Sequence, residues 1–134
     1  MNFELLRNEL RMVPHLKTSL KKLEEEKDRI LYEMSGVKGI RYDKEKGNFD
    51  PNASAEKRYQ LSAMLEEIES QIDYTSVFIN KAMADLAKLP DDVKEMCVWL
   101  YIEGYPLKTV ADIKMYTPSG IWNKIKNCVE KVDS

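Results

Sequence analysis

Near the C-terminal end of the chain, Ser119, Gly120, Trp122, Asn123, Lys124 and Lys126 follow a Thr117-Pro118 pair at close spacing. The set is polar where no core needs polarity. The Asn123 carboxamide holds a donor beside an acceptor and can pair with adenine through two bonds. The Trp122 ring can touch a thymine methyl, and the ammonium groups of Lys124 and Lys126 suit phosphates. Lys108 and Thr109, a little upstream, suit backbone contacts of the same kind, and Thr117, Ser119 and Gly120 complete the expected DNA-contacting set. Solvation alone accounts for lysines in isolation, and Trp122 is as well suited to packing against the N-terminal helices. The surrounding pattern is what turns the set towards nucleic acid.

Other chemistries find no support. Cys97 and Cys128 lie too far apart for a CxxC site, and with the lone His15 they do not suggest zinc. Both cysteines read as small apolar core residues. Neither a His-containing triad nor a glycine-rich phosphate loop is present, so no enzyme, cofactor or metal is expected. The net charge is −2, and residues 89–134 carry more acids than lysines. Attraction to a polyanion must therefore come from a local patch or from two paired copies.

The elements that would hold these residues are short. Leu89-Pro90 ends a preceding helix, because the residue before proline is pushed away from helical geometry. Asp91 and Asp92 then open a helix whose buried face is Val93, Met96, Cys97 and Leu100, and Gly104 is suited to end it. A second helix is expected over Leu107–Lys114, with Val110, Ala111 and Ile113 available for packing. The third opens with a Thr117 cap and Pro118 in its first turn, and buries Ile121, Ile125, Cys128 and Val132.

Upstream, the pattern changes. Leu16, Leu20, Leu23, Ile30 and Met34 recur in alternating four- and three-residue steps, with Lys27 in the remaining place of the series. Leu61, Leu65, Ile68, Ile72, Thr75, Ile79, Ala82, Leu86 and Leu89 repeat the pattern, while Met64, Val77, Phe78 and Met83 widen the stripe. A break or kink is expected near Val13-Pro14, where proline lacks a backbone donor. Residues 35–52 should be a loop, since Gly36, Gly39, Gly47 and Asp50-Pro51-Asn52 interrupt the periodicity. Val37, Ile40, Tyr42 and Phe49 are apolar enough to dock onto something. Two heptad-bearing helices around such a loop should fold back as an antiparallel coiled arm. An arm this thin invites a second copy, so Leu16, Leu20, Leu23, Ile30, Leu61, Leu65, Ile68, Ile72 and Ile79 are the expected oligomerisation residues.

The run LPDDVKEMCVWLYIEGYPLKTVADIKMYTPSGIWNKIKNCVEKV resembles the region-four helix-turn-helix of bacterial sigma factors. The wider layout, a coiled N-terminal part, the loop SGVKGIRYDKEKGNFDPNAS and this C-terminal motif, is similar to the small sigma-like regulators of Gram-positive phages and prophages, the ArpU/RinA-like group. The resemblance implies an activator of late phage operons acting on promoter DNA. Against the family pattern, Pro106 stands where a Ser or Thr cap is usual, Met115 where the inter-helix turn usually has glycine, and Trp122 at a commonly basic position.

The sequence thus predicts an all-α protein, with a coiled oligomerisation arm over residues 1–88 and a helix-turn-helix domain over residues 89–134. Its expected partners are double-stranded promoter DNA, host RNA polymerase and a second copy in a homodimer. No apolar run approaches a membrane span and no leader is evident, so a cytoplasmic location in a bacterial host is expected. Two other classes stay open. One is a packaging or assembly protein such as a small terminase subunit, and the other is a protein-interaction module or inhibitor of a host machine that has lost DNA binding.

Overall fold

A computed structural model describes residues 1–40 and 51–132, with side chains over 1–36 and 55–132. Among these residues the protein is all-helical. Helix α1 runs over Phe3–Ile40, α2 over Pro51–Ala87, α3 over Asp91–Cys97, α4 over Leu107–Lys114 and α5 over Pro118–Glu130. A π-helical stretch, Val98–Ile102, continues α3. No helix of the described residues is long and apolar enough to cross a membrane.

Of the break or kink expected at Val13-Pro14, the break does not occur: α1 passes through Pro14 without interruption. Proline inside a helix costs about 3 kcal/mol. Leu10, whose carbonyl loses its donor, and Val13, which precedes the proline, are fully buried, and each such burial returns roughly 1.5–3 kcal/mol. Tertiary packing therefore outweighs the local penalty. The Thr18 hydroxyl also donates to the Pro14 carbonyl at 3.0 Å. The loop expected from residue 35 likewise begins later, because α1 continues through Gly36 and Gly39 to Ile40. Glycine weakens a helix by only about 1 kcal/mol and does not forbid it. At the other side Pro51 stands at the first position of α2, where its missing N–H costs nothing. The rest of the expected loop, residues 41–50, and the docking expected of Val37, Ile40, Tyr42 and Phe49 lie outside the described residues and side chains.

The chain divides into two compact units, residues 19–76 and residues 1–18 with 77–134. In the first, Ile30, Leu61 and Ile68 are buried against half-buried Leu23, Met34, Leu65 and Ile72. The heptad positions of the two helices therefore face each other, and Lys27 is half-buried among them. Beside this seam an open groove of ≈ 680 Å³ is lined by Leu23 together with Ser19, Ser70 and Thr75.

In the second unit, the C-terminal helices share one core with the N-terminal turns of α1 and the end of α2. Phe3, Leu6, Leu10 and Val13 pack with Ala82, Leu86 and Leu89, and with Val93, Met96, Cys97 and Tyr101. Val110, Ala111, Ile121, Ile125 and Val129 complete it. The division expected at 88/89 does not coincide with this packing. An ion pair joins Lys81 to Glu9 at 2.7 Å at the edge of the same unit. All nine residues expected to mediate oligomerisation, from Leu16 to Ile79, are buried or half-buried within the single chain. Met64, Val77, Phe78 and Met83 are exposed instead.

Candidate nucleic-acid interface

Helix α4 and helix α5 are built much as their end residues dictate. Gly104, at φ 77, reverses the chain after the π-helical stretch, and Pro106 precedes α4 without a side-chain cap. Val110 and Ala111 are fully buried, whereas Ile113, also expected to pack, is 57% exposed. Residues 110 and 111 already fill the face turned towards α5, and position 113 falls outside it. Met115 ends α4 in the left-handed region at φ 62, ψ 40, the conformation for which glycine is usual. Its side chain is 91% exposed.

Thr117 caps α5: its Oγ1 accepts from the Gly120 N–H at 3.0 Å. A β-carbon at position 120 would stand 2.9 Å from that oxygen, so a larger residue there would make the Thr117 side chain shift. Of the expected contact residues, Thr117 and Gly120 thus have structural duties. The buried face is Ile121, Ile125 and Val129, a track of four-residue steps, while Cys128 and Val132, expected on that face, flank it half-buried. Ser119, Trp122, Asn123 and Lys126 recur in three- and four-residue steps and form one outward stripe. Ser119 and Asn123 are exposed, Lys126 is half-buried and Trp122 is 36% exposed. Lys108 and Thr109 are exposed in the first turn of α4.

Lys124 is separated from that stripe. Its Nζ donates to Asp92 Oδ2 at 3.1 Å and to Tyr116 Oη at 2.8 Å. Lys114 Nζ reaches the other oxygen of Asp92 at 3.0 Å and Glu95 Oε1 at 2.6 Å, and lies 5.1 Å from the Trp99 ring centroid. Hydrogen bonds from Lys114 and then Lys124 hold the Asp92 carboxyl below the usual range. The Lys114 ammonium is raised by Glu95 and Asp92, and that of Lys124 by Tyr116 and Asp92. The network ties α3 to α4 and α5 by side chains at the surface. It also neutralises a lysine expected to meet phosphate.

Trp122 meets the N-terminal end of the chain. Its ring stands edge-on to Phe3, with centroids 5.6 Å apart, and Phe3 in turn meets Tyr101 at 6.5 Å. Cations cover these rings. Lys126 Nζ lies 4.8 Å from the Trp122 centroid, Arg7 Cζ 5.4 Å from Phe3 and Arg11 Cζ 5.6 Å from Tyr101. Burial, and then the neighbouring Cys97, push the Tyr101 hydroxyl up to about 12, partly opposed by Arg7 and Arg11. The sequence reading missed Phe3, Arg7 and Arg11. Their four-residue spacing is a visible helical stripe, but only the fold brings it to α5. No family model, curated protein or solved structure matches the chain.

Proposed function

We propose that the protein is a transcriptional regulator that binds double-stranded promoter DNA with α5 in the major groove. It works as a homodimer in the bacterial cell, at a phage or prophage promoter, in contact with RNA polymerase. The observation that carries the reading is the outward stripe of Ser119, Trp122, Asn123 and Lys126, on a helix whose opposite face is wholly buried. A helix seated on a core by one face and presenting a carboxamide and a cation on the other is suited to base edges and phosphates. The resemblance of residues 89–132 to sigma region four supports promoter DNA as the target. A second copy would meet the apolar side chains exposed on α2, among them Met64 and Met83.

A genome-wide footprint of the tagged protein tests this. Enrichment at discrete promoters, lost together with the specific site in Asn123→Ala, is the expected result. At the footprinted sequence that substitution should cost about 1–3 kcal/mol while leaving nonspecific binding nearly unchanged.

A protein-interaction module is the second reading, favoured by the apolar side chains around the α4–α5 turn. Ile113, Met115 and Tyr116 are all exposed there, beside a Lys124 already engaged by Asp92. A footprint without enrichment would shift the account to this reading.

A further inference from the structure

Arg7, Arg11 and Lys126 differ in their surroundings from the six ion-paired cations of the described residues. Arg29, Lys81, Lys88, Lys94, Lys114 and Lys124 each lie within ion-pair distance of a carboxylate. Arg7, Arg11 and Lys126 have no such partner, although Glu4 and Glu130 sit one helical turn from Arg7 and Lys126. Each instead lies over an aromatic ring, and those rings touch in series from Tyr101 through Phe3 to Trp122. The Arg7 Nε is shielded from solvent and lacks a hydrogen-bond partner, so this donor is held in the patch unsatisfied. An aromatic face attracts a guanidinium without neutralising it, and leaves its outer N–H groups available to an oxyanion.

We propose that Arg7 and Arg11 of α1, together with Lys126 of α5, form a phosphodiester-binding site on which duplex DNA rests its backbone beside the α5 stripe. The site rests on the DNA-binding reading and adds α1 to it. Continuity selects the ligand: Lys126 belongs both to this patch and to the stripe of Ser119, Trp122 and Asn123. One polyanion lying along α5 therefore meets all three cations. Trp122, packed on Phe3, is the joint between the two halves and is not itself free to swing into a groove. The base-reading work of α5 falls to Asn123 and Ser119, while phosphate contact moves from the engaged Lys124 to Lys126, Arg7 and Arg11.

Fluorescence anisotropy of the full chain on a mixed-sequence duplex of about 25 base pairs, titrated at several salt concentrations, tests the site. Each phosphate contact contributes about 0.9 to the slope of log affinity against log salt. Arg11→Gln, an exposed substitution, should lower the slope by about 0.9, and Arg7→Gln with Arg11→Gln by roughly twice that. Lys21→Gln, on α1 in the other unit, should leave the slope unchanged. Circular dichroism melting accompanies each variant, and Arg11→Lys should restore most of the slope because it restores the charge. A wild-type chain that binds no duplex at low salt overturns the DNA reading and this site with it. A wild-type chain that binds, loses sequence discrimination in Asn123→Ala and keeps its slope in both arginine variants overturns this site alone. In that event an acidic protein surface becomes the better ligand for these cations.

Discussion

Lys124 of α5 donates to Asp92 of α3 across 3.1 Å, joining residues 32 positions apart in the chain. Asp92 lies in the first turn of α3, where the helix end already favours a carboxylate, and it accepts from Lys114 as well. One exposed acid thereby braces two helices and takes two lysines out of any encounter with phosphate. At the surface such a brace is worth little in stability, about 0–1 kcal/mol for each pair. Its larger consequence is for the charge that α5 presents.

Asp92→Asn should therefore change binding more than folding. With its carboxylate partner gone, Lys124 can meet phosphate, so duplex affinity at low salt should rise and the salt slope steepen by about 0.9. The melting temperature should shift only slightly. In the wild type the depressed carboxyl contributes stability above its ordinary value of 3.8, and loses it as pH falls through that range. An unchanged salt slope in Asp92→Asn, beside a wild type that does bind DNA, would show that Lys124 stays out of the interface.

Met115 carries a different kind of tension. A β-carbon in the left-handed region costs about 1–2 kcal/mol, and this side chain, almost wholly exposed, recovers none of it by burial. Met115→Gly should stabilise the protein by about 1 kcal/mol in denaturant unfolding, less whatever glycine adds to the freedom of the unfolded chain. A loss of stability would mean that the left-handed turn is not the conformation adopted in solution.

Lys27 is half-buried in the heptad seam between Leu23 and Ile30. A polar residue at such a place lowers stability while fixing register. Lys27→Leu should raise the melting temperature followed by circular dichroism. A marked fall in melting would contradict the helix pairing of residues 19–76.

The seam was readable because heptad periodicity is local: Leu23, Ile30, Leu61 and Ile68 announce their face within their own helices, and all are buried or half-buried. The limits of α4, Leu107–Lys114, agree with the helix expected there. What failed was decided at long range. Pro14 does not break α1 because Leu10 and Val13 are buried beside Ala82 and Leu86, a contact that no window around residue 14 contains. Lys124 read as a free cation because Asp92 is remote in sequence. Arg7 and Arg11 carry no local signal of a site, since their nearness to Trp122 and Lys126 follows from Phe3 packing on α5.

The two cysteines should differ sharply in reactivity. Burial, and then the proximity of Cys128, push the Cys97 thiol up to about 12, whereas Cys128 is only partly buried. A thiol reagent at pH 8 should titrate Cys128 in the native protein and Cys97 only after denaturation. Cys97 and Tyr101 both favour their protonated forms in the folded state. Stability is therefore full below the ordinary thiol value of 9.0 and falls as pH rises towards about 12. Melting temperature should decline across that window, and two fast-reacting thiols at pH 8 would contradict the buried position of Cys97.

The shared core of residues 1–18 and 77–134 makes the C-terminal helices dependent on the start of the chain. Val93, Met96, Cys97, Ile121 and Ile125 are buried together with Phe3, Leu6, Leu10, Val13, Ala82 and Leu86. A fragment of residues 89–134 alone would expose the surface that these six side chains cover. Each large aliphatic or aromatic partner contributes roughly 1.5–3 kcal/mol, against a total stability of about 5–15 kcal/mol for a whole domain. The fragment should accordingly show weak helical circular dichroism and no cooperative melt. A peptide of residues 1–18 added in trans should not restore it fully, because Ala82 and Leu86 are also missing. Adding residues 77–88 to the fragment together with that peptide should recover a cooperative transition. Cooperative unfolding of residues 89–134 by themselves would show instead that these helices form an independent domain, and that α1 merely rests on them.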